Sequence, residues 1–109
     1  MKLSEMIAGI KPYVREDARN LLKSDRFHSL KQMDDGDSYE ALIYFESGLL
    51  MPEVLMDSEQ NILGKECQCA NIGVHEICVH LTATLLGIEK MLLAGSDDYH
   101  EAVKILEQS

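Results

Sequence analysis

Cys67-Gln68-Cys69-Ala70-Asn71-Ile72-Gly73-Val74-His75-Glu76-Ile77-Cys78-Val79-His80 is the stretch around which the chain is organised. It holds all three cysteines and two of the four histidines of a 109-residue sequence. Residues two apart on an extended strand point to the same side, so Cys67 and Cys69 face one point in space. Eight residues return the chain, and Cys78 and His80 repeat the spacing where an apolar helical pattern begins. The free amides of a helix start carry partial positive charge, which favours thiolates. Three sulfurs and one imidazole match tetrahedral zinc with no open position. The spacing therefore predicts one structural zinc ion held by Cys67, Cys69, Cys78 and His80. A closed site leaves no place for a water nucleophile or a substrate, so it is not read as catalytic.

Two other readings use the same residues. Free cysteine packs as a small apolar residue, so three inert buried thiols are one alternative. Clustering of every cysteine at matched two-residue spacings argues against it. Thiol redox chemistry is the other, but redox pairs usually enclose two residues and this pair encloses one. His75, between Gly73 and Glu76 on the loop, is read as solvent-exposed. His28 and His100 have no metal-like neighbours and are read as surface or half-buried residues.

Upstream of Cys67 the pattern is that of strands. Residues 27–33, 38–45, 49–56 and 62–67 are short β-rich or apolar runs, separated by turns at 34–37, 47–48 and 57–61. Pro52 inside the third run fits an edge strand or a bulge. Consecutive strands joined by short turns read as an antiparallel meander of about four strands. Before them, Pro12 suits the first turn of a helix reaching Lys23, with Val14, Ala18, Leu21 and Leu22 on one face. Ser4 is placed to cap a helical turn over 5–8, ended by Gly9. Downstream, Leu81, Leu85, Ile88 and Leu92 form one apolar face of a helix stopped by Gly95-Ser96. Asp97 or Asp98 then starts a short last helix with Tyr99, Val103 and Leu106 inward. The expected class is α+β over one domain, 1–109. It comprises a helical lead-in (1–26), a meander with the zinc-bound helix (27–93) and a C-terminal helical appendage (94–109).

The composition, 46% apolar and 27% charged, is that of a globular protein. No apolar run is long enough to span a bilayer. Met1-Lys2-Leu3-Ser4-Glu5 lacks the pattern of a secretory signal, so the expected location is the cytoplasm. Three thiols without an export signal point to metal or reactive cysteines, not a disulfide framework. The net charge is −9 and uneven. Residues 1–31 carry seven basic and four acidic groups, a net of +3; residues 32–109 carry three against fifteen, a net of −12. Overall charge therefore repels phosphate, and only the stripe Lys11, Arg15, Arg19, Lys23 offers a local exception.

The run Cys67-x-Cys69, eight residues, Cys78-x-His80, followed by Leu81, Ala83, Leu85 and Leu86, resembles a SWIM-type zinc finger. In that family a strand ends in C-x-C and a helix begins at C-x-H, with an alanine three residues after the histidine; Ala83 matches. The resemblance is specific over 67–86. It extends more loosely over 13–66, where the strands resemble the family's lead-in and Ala18-Arg19, Leu22, Arg26 and Phe27 resemble its preceding segment. SWIM modules accompany Snf-type DNA translocases in bacteria and archaea, Mutator-type transposases, phytochrome-responsive plant regulators and a ubiquitin ligase. The resemblance implies a zinc-stabilised module that binds DNA or protein. Val79 stands where the family often has lysine, and Gln68 where it often has serine or threonine.

Three function classes follow. A non-catalytic module binding a protein partner fits the zinc site and the acidic bulk, with a basic or neutral partner surface. An uncovered edge strand near Pro52, flanked by Met51 and Met56, would suit strand addition. A DNA-binding accessory role in a translocase or chromatin-remodeller-like complex would use Lys11, Arg15, Arg19 and Lys23. Glu16 and Asp17 interrupt that stripe, and no aromatic residue is available in it for base stacking. Catalysis is not expected: the sequence has no Ser/His/Asp order, no phosphate loop and no open metal position. Neither a membrane nor a small-molecule substrate is expected as a partner.

Overall fold

The longest helix, α3 (Val79–Ala94), is the hub of the fold. The computed structural model describes residues 1–46, 48–69 and 77–108. In chain order these form α1 (Leu3–Ala8), α2 (Pro12–Lys23), β1 (Phe27–Gln32), β2 (Ser38–Phe45), β3 (Gly48–Leu50), β4 (Glu53–Met56), β5 (Ile62–Glu66), α3 and α4 (Tyr99–Glu107). The α+β class stands: N-terminal helices, an antiparallel sheet, then C-terminal helices. None of the described helices is long and apolar enough to cross a membrane.

Strands β1, β2, β4 and β5 lie side by side in that order, all antiparallel, and β3 pairs with the far end of β2. There are five strands instead of about four because Pro52 divides one run. Proline has no N–H to give the ladder, so the run breaks into β3 and β4 at Met51-Pro52. The Pro52 carbonyl still accepts the Ala41 N–H at 3.0 Å. The expectation of an edge strand at this run divides with it: β4 is paired on both sides, with Pro52 and Met56 buried, whereas β3 pairs with β2 alone and Met51 is exposed. Aspartates build two of the turns. The Asp35 carboxylate accepts the Asp37 and Ser38 N–H groups, each at 2.9 Å. Asp57 does the same for Glu59 and Asn61. These bonds lower both carboxyl pKa values, Asp35 chiefly through Ser38 and Asp57 chiefly through Asn61.

The first helix starts earlier than Ser4 alone suggests. Lys2, not Ser4, precedes it, and the Lys2 N–H donates to the Glu5 carboxylate at 3.1 Å. Tertiary pairing sets that start. The Leu3 N–H donates to the Gln60 carbonyl at 2.9 Å, and the Ile62 N–H to Met1 at 2.8 Å. Leu3 is thereby drawn into the core.

Helix α3 packs against α1, α2 and α4 and against β1, β2 and β4. Being surrounded, it is buried on all sides from Leu81 to Ile88 instead of along one stripe. Leu92, expected inward, is exposed, and Met91 takes the buried position. Two devices make this burial possible. The Thr82 and Thr84 hydroxyls donate to the Cys78 and His80 carbonyls at 2.8 and 2.9 Å, so neither is an unpaired polar group. Gly87 lets β1 come close: a Cβ there would lie 2.5 Å from Leu30 Cδ2 and 3.3 Å from Tyr99 Cδ1. Gly95, at φ 69°, ends the helix in the left-handed region, with the Ser96 N–H donating to Met91 at 3.0 Å.

Candidate metal centre

The end of β5 and the start of α3 converge on one point. Cys67 follows β5 directly, and Cys78 is the residue that caps α3. Cys67 is buried; Cys69, Cys78 and His80 are half-buried. One ligating atom from each of the four lies within 4.8 Å of the others. Four ligands around zinc, with sulfur at ~2.3 Å, sit about 3.8 Å apart, so the arrangement is within about an ångström of closing on an ion. His75 and most of the loop that carries it lie outside the described residues.

Several bonds hold the ligands in place. The Cys78 Sγ accepts the Leu81 N–H at 3.4 Å, the capping role usually taken by a serine or aspartate oxygen. The Thr82 and Thr84 hydroxyls fasten to the carbonyls of Cys78 and His80, each from four residues on. Gln68 faces away from its flanking cysteines, and its side-chain oxygen accepts the Met51 N–H at 3.0 Å. That bond ties the Cys67–Cys69 arm to the break between β3 and β4. None of these four bonds was anticipated from the sequence. The threonines were detectable as a repeat of the Cys78/His80 spacing one helical turn later.

The electrostatics match a site made for a cation. Burial pushes the Cys67 thiol up to about 12. It also raises Cys78, outweighing the Leu81 N–H that favours the thiolate. The amide of the helix start favours the Cys78 thiolate in the expected direction, but burial outweighs it, so a bound cation would favour ionisation further. Burial lowers the His80 pKa and so favours the neutral imidazole that a metal requires. Among the described residues the His80 Nδ1 atom is buried without a hydrogen-bond partner. A buried ring nitrogen left this way costs about 1–3 kcal/mol, which a bound ion beside the imidazole would offset. The three thiols are free, with no disulfide among them.

The basic stripe runs from Lys11, the residue that precedes α2, along the helix to Lys23. Lys11, Arg19 and Lys23 are exposed, while Arg15 is half-buried and its Nε has no partner among the described residues. Lys11 alone of the four lines the groove of about 800 Å³ that Cys67 also borders. The structure does not gather Arg15, Arg19 or Lys23 into that groove. His28 and His100 are exposed and sit together, the His100 Nε2 lying 2.7 Å from the His28 carbonyl oxygen.

Comparison of the chain with protein-family models, curated proteins and solved structures yields no match.

Proposed function

We propose that this chain is a non-catalytic interaction module of SWIM type, stabilised by one zinc ion and binding a protein partner. The observation that carries the reading is the convergence of three sulfurs and one imidazole within 4.8 Å, from C-x-C after a strand and C-x-H at a helix start. Ala83, at the family's alanine position, is fully buried. Zinc fits better than harder cations because thiolates and imidazole are its preferred donors, whereas magnesium and calcium take oxygen. With four protein ligands the ion has no open position, so its role is to hold β5 to α3.

Metal analysis of the purified chain tests the zinc. One zinc per chain is expected, and His75→Ala should retain it. Cys69→Ser and Cys78→Ser should lose it together with the cooperative melt, because zinc binding and folding are coupled. Cobalt substitution gives a readout that does not depend on the variants folding: intense thiolate charge-transfer bands with a tetrahedral d–d envelope are expected. A metal-free wild type that melts like the loaded one would sink the structural-zinc reading.

One observation supports a second reading, DNA binding: Lys11, just ahead of α2, and Arg19 and Lys23 along it are exposed. Fluorescence anisotropy with labelled single- and double-stranded DNA across a salt series separates the two. Binding that weakens steeply with salt and is lost on replacing Arg19 and Lys23 would replace the protein-binding reading. No binding at low salt would leave it standing.

A further inference from the structure

Four residues stand in one row across the sheet: Lys31 of β1 opposite Glu40 of β2, Glu40 opposite Glu53 of β4, and Glu53 opposite Glu66 of β5. Adjacent strands are about 4.8 Å apart, and like charges directly opposite one another destabilise a sheet. Three successive carboxylates in register are therefore unfavourable in the isolated protein. Lys31 at one end is the single cation of the row, which keeps an excess of two negative charges.

The row lies on the open face of the sheet. Tyr39, Ala41, Ile43 and Val54, which alternate with it, are buried towards the helices. The helical contacts of the sheet are made there, by α3 with β1, β2 and β4 and by α2 and α4 with β1. On the open face apolar side chains flank the row. Leu42, opposite Ser29, lies beside the glutamates, with the Tyr44–Leu49 pair beyond it, and on the other side Leu55 stands between Ser38 and Gly64. Tyr44, Leu49 and Leu55 are 47%, 45% and 38% exposed. The solvent face of an antiparallel sheet normally carries polar residues, so large apolar side chains bracketing an acidic row are unusual there.

We infer that this face is the partner-binding surface, and that its occupant is a protein segment presenting lysine or arginine side chains between apolar ones. The inference rests on the protein-binding reading above and specifies where and what that module binds. The charge argument selects the occupant. Residues 32–109 carry a net of −12, so a neutral or acidic partner gains nothing from the row, and a nucleic acid is repelled by it. Basic side chains would neutralise the in-register glutamates, while apolar neighbours would cover Tyr44, Leu49 and Leu55.

The test uses the zinc-loaded full chain and a fluorescent peptide alternating lysine and leucine, read by anisotropy and by amide chemical-shift mapping. Shifts concentrated on β2, β4 and β5 are expected. The triple variant Glu40→Gln, Glu53→Gln, Glu66→Gln should weaken binding at least tenfold, with zinc content unchanged and a melting temperature no lower than wild type. A control of equal charge change on the helices, Glu89→Gln, Glu101→Gln, Glu107→Gln, should bind within about twofold of wild type. Equal weakening by both variants would mean bulk charge alone attracts the peptide and would overturn the inference. Shifts on another face would overturn it too while leaving the protein-binding reading intact. Concentration-dependent dimerisation abolished by the β-face variant would replace the basic partner with a second copy. Salt-sensitive DNA binding through α2, in contrast, would remove the underlying reading itself.

Discussion

Burial favours the neutral thiols of Cys67 and Cys78, and this sets how metal binding at the candidate site would respond to acid. Cys67 is pushed up to about 12 and Cys78 is raised as well. Protons and zinc compete for the same sulfurs, so binding must displace a proton from each. Raising the pH removes the competitor and strengthens binding; lowering it weakens binding. Each such thiol contributes about a tenfold change in apparent affinity per pH unit well below its pKa. These two alone predict about a hundredfold gain per unit between pH 6 and 8, measurable by chelator competition. A flat profile would show that the sulfurs are not the ligands. The clustering of Cys67, Cys69, Cys78 and His80 was legible in the sequence, because C-x-C and C-x-H are local patterns. Their supports were not. That Gln68 reaches Met51, seventeen positions upstream, depends on how the strands are laid side by side.

Helix α3 is the element whose burial is decided by its neighbours. A Cβ on its central glycine would lie 2.5 Å from Leu30 Cδ2, and Leu30 is itself fully buried, so any side chain there must shift Leu30 within a filled core. Gly87→Val should therefore cost about 1–3 kcal/mol, the range for overpacking a filled core, only slightly offset by valine's better helix preference than glycine's. Chemical denaturation of the zinc-loaded protein checks this; a variant as stable as wild type would mean that β1 and α3 can separate at this point. Periodicity did place the strands, α2, α3 and α4 close to where they lie, since their apolar spacing and their Gly, Pro and Asp boundaries are local signals. It failed where long-range contact overrides pattern. The Leu81, Leu85, Ile88, Leu92 stripe describes a helix packed on one side, whereas α3 is enclosed on several, so Met91 turns in and Leu92 out. The same holds at Lys2, where pairing with Asn61 sets a helix start that Ser4 alone would place later.

On the scale of the whole molecule, the candidate metal site brings together the end of the sheet and the beginning of the hub. One buried cluster draws on α1, α2, α4, the strands and α3 together. Detaching α3 at its N-terminus should therefore loosen all of them, not only the loop. Structural zinc sites contribute about 10–16 kcal/mol in small fingers, comparable to the whole stability of a domain, about 5–15 kcal/mol. Chelation should accordingly abolish a cooperative thermal transition, and added zinc should restore it; an unchanged transition by calorimetry would show that the core holds without the ion. The position of α3 also bears on how the chain is made. Residues 27–66 form the whole sheet, yet the side chains they turn inward are covered chiefly by a helix that ends only at Ala94. At synthesis rates of about 5–20 residues per second, the strands emerge a few seconds before their cover. Phe27, Leu30, Ile43 and Val54 are then exposed apolar surface on a growing chain, and this interval is when the protein most needs protection from aggregation.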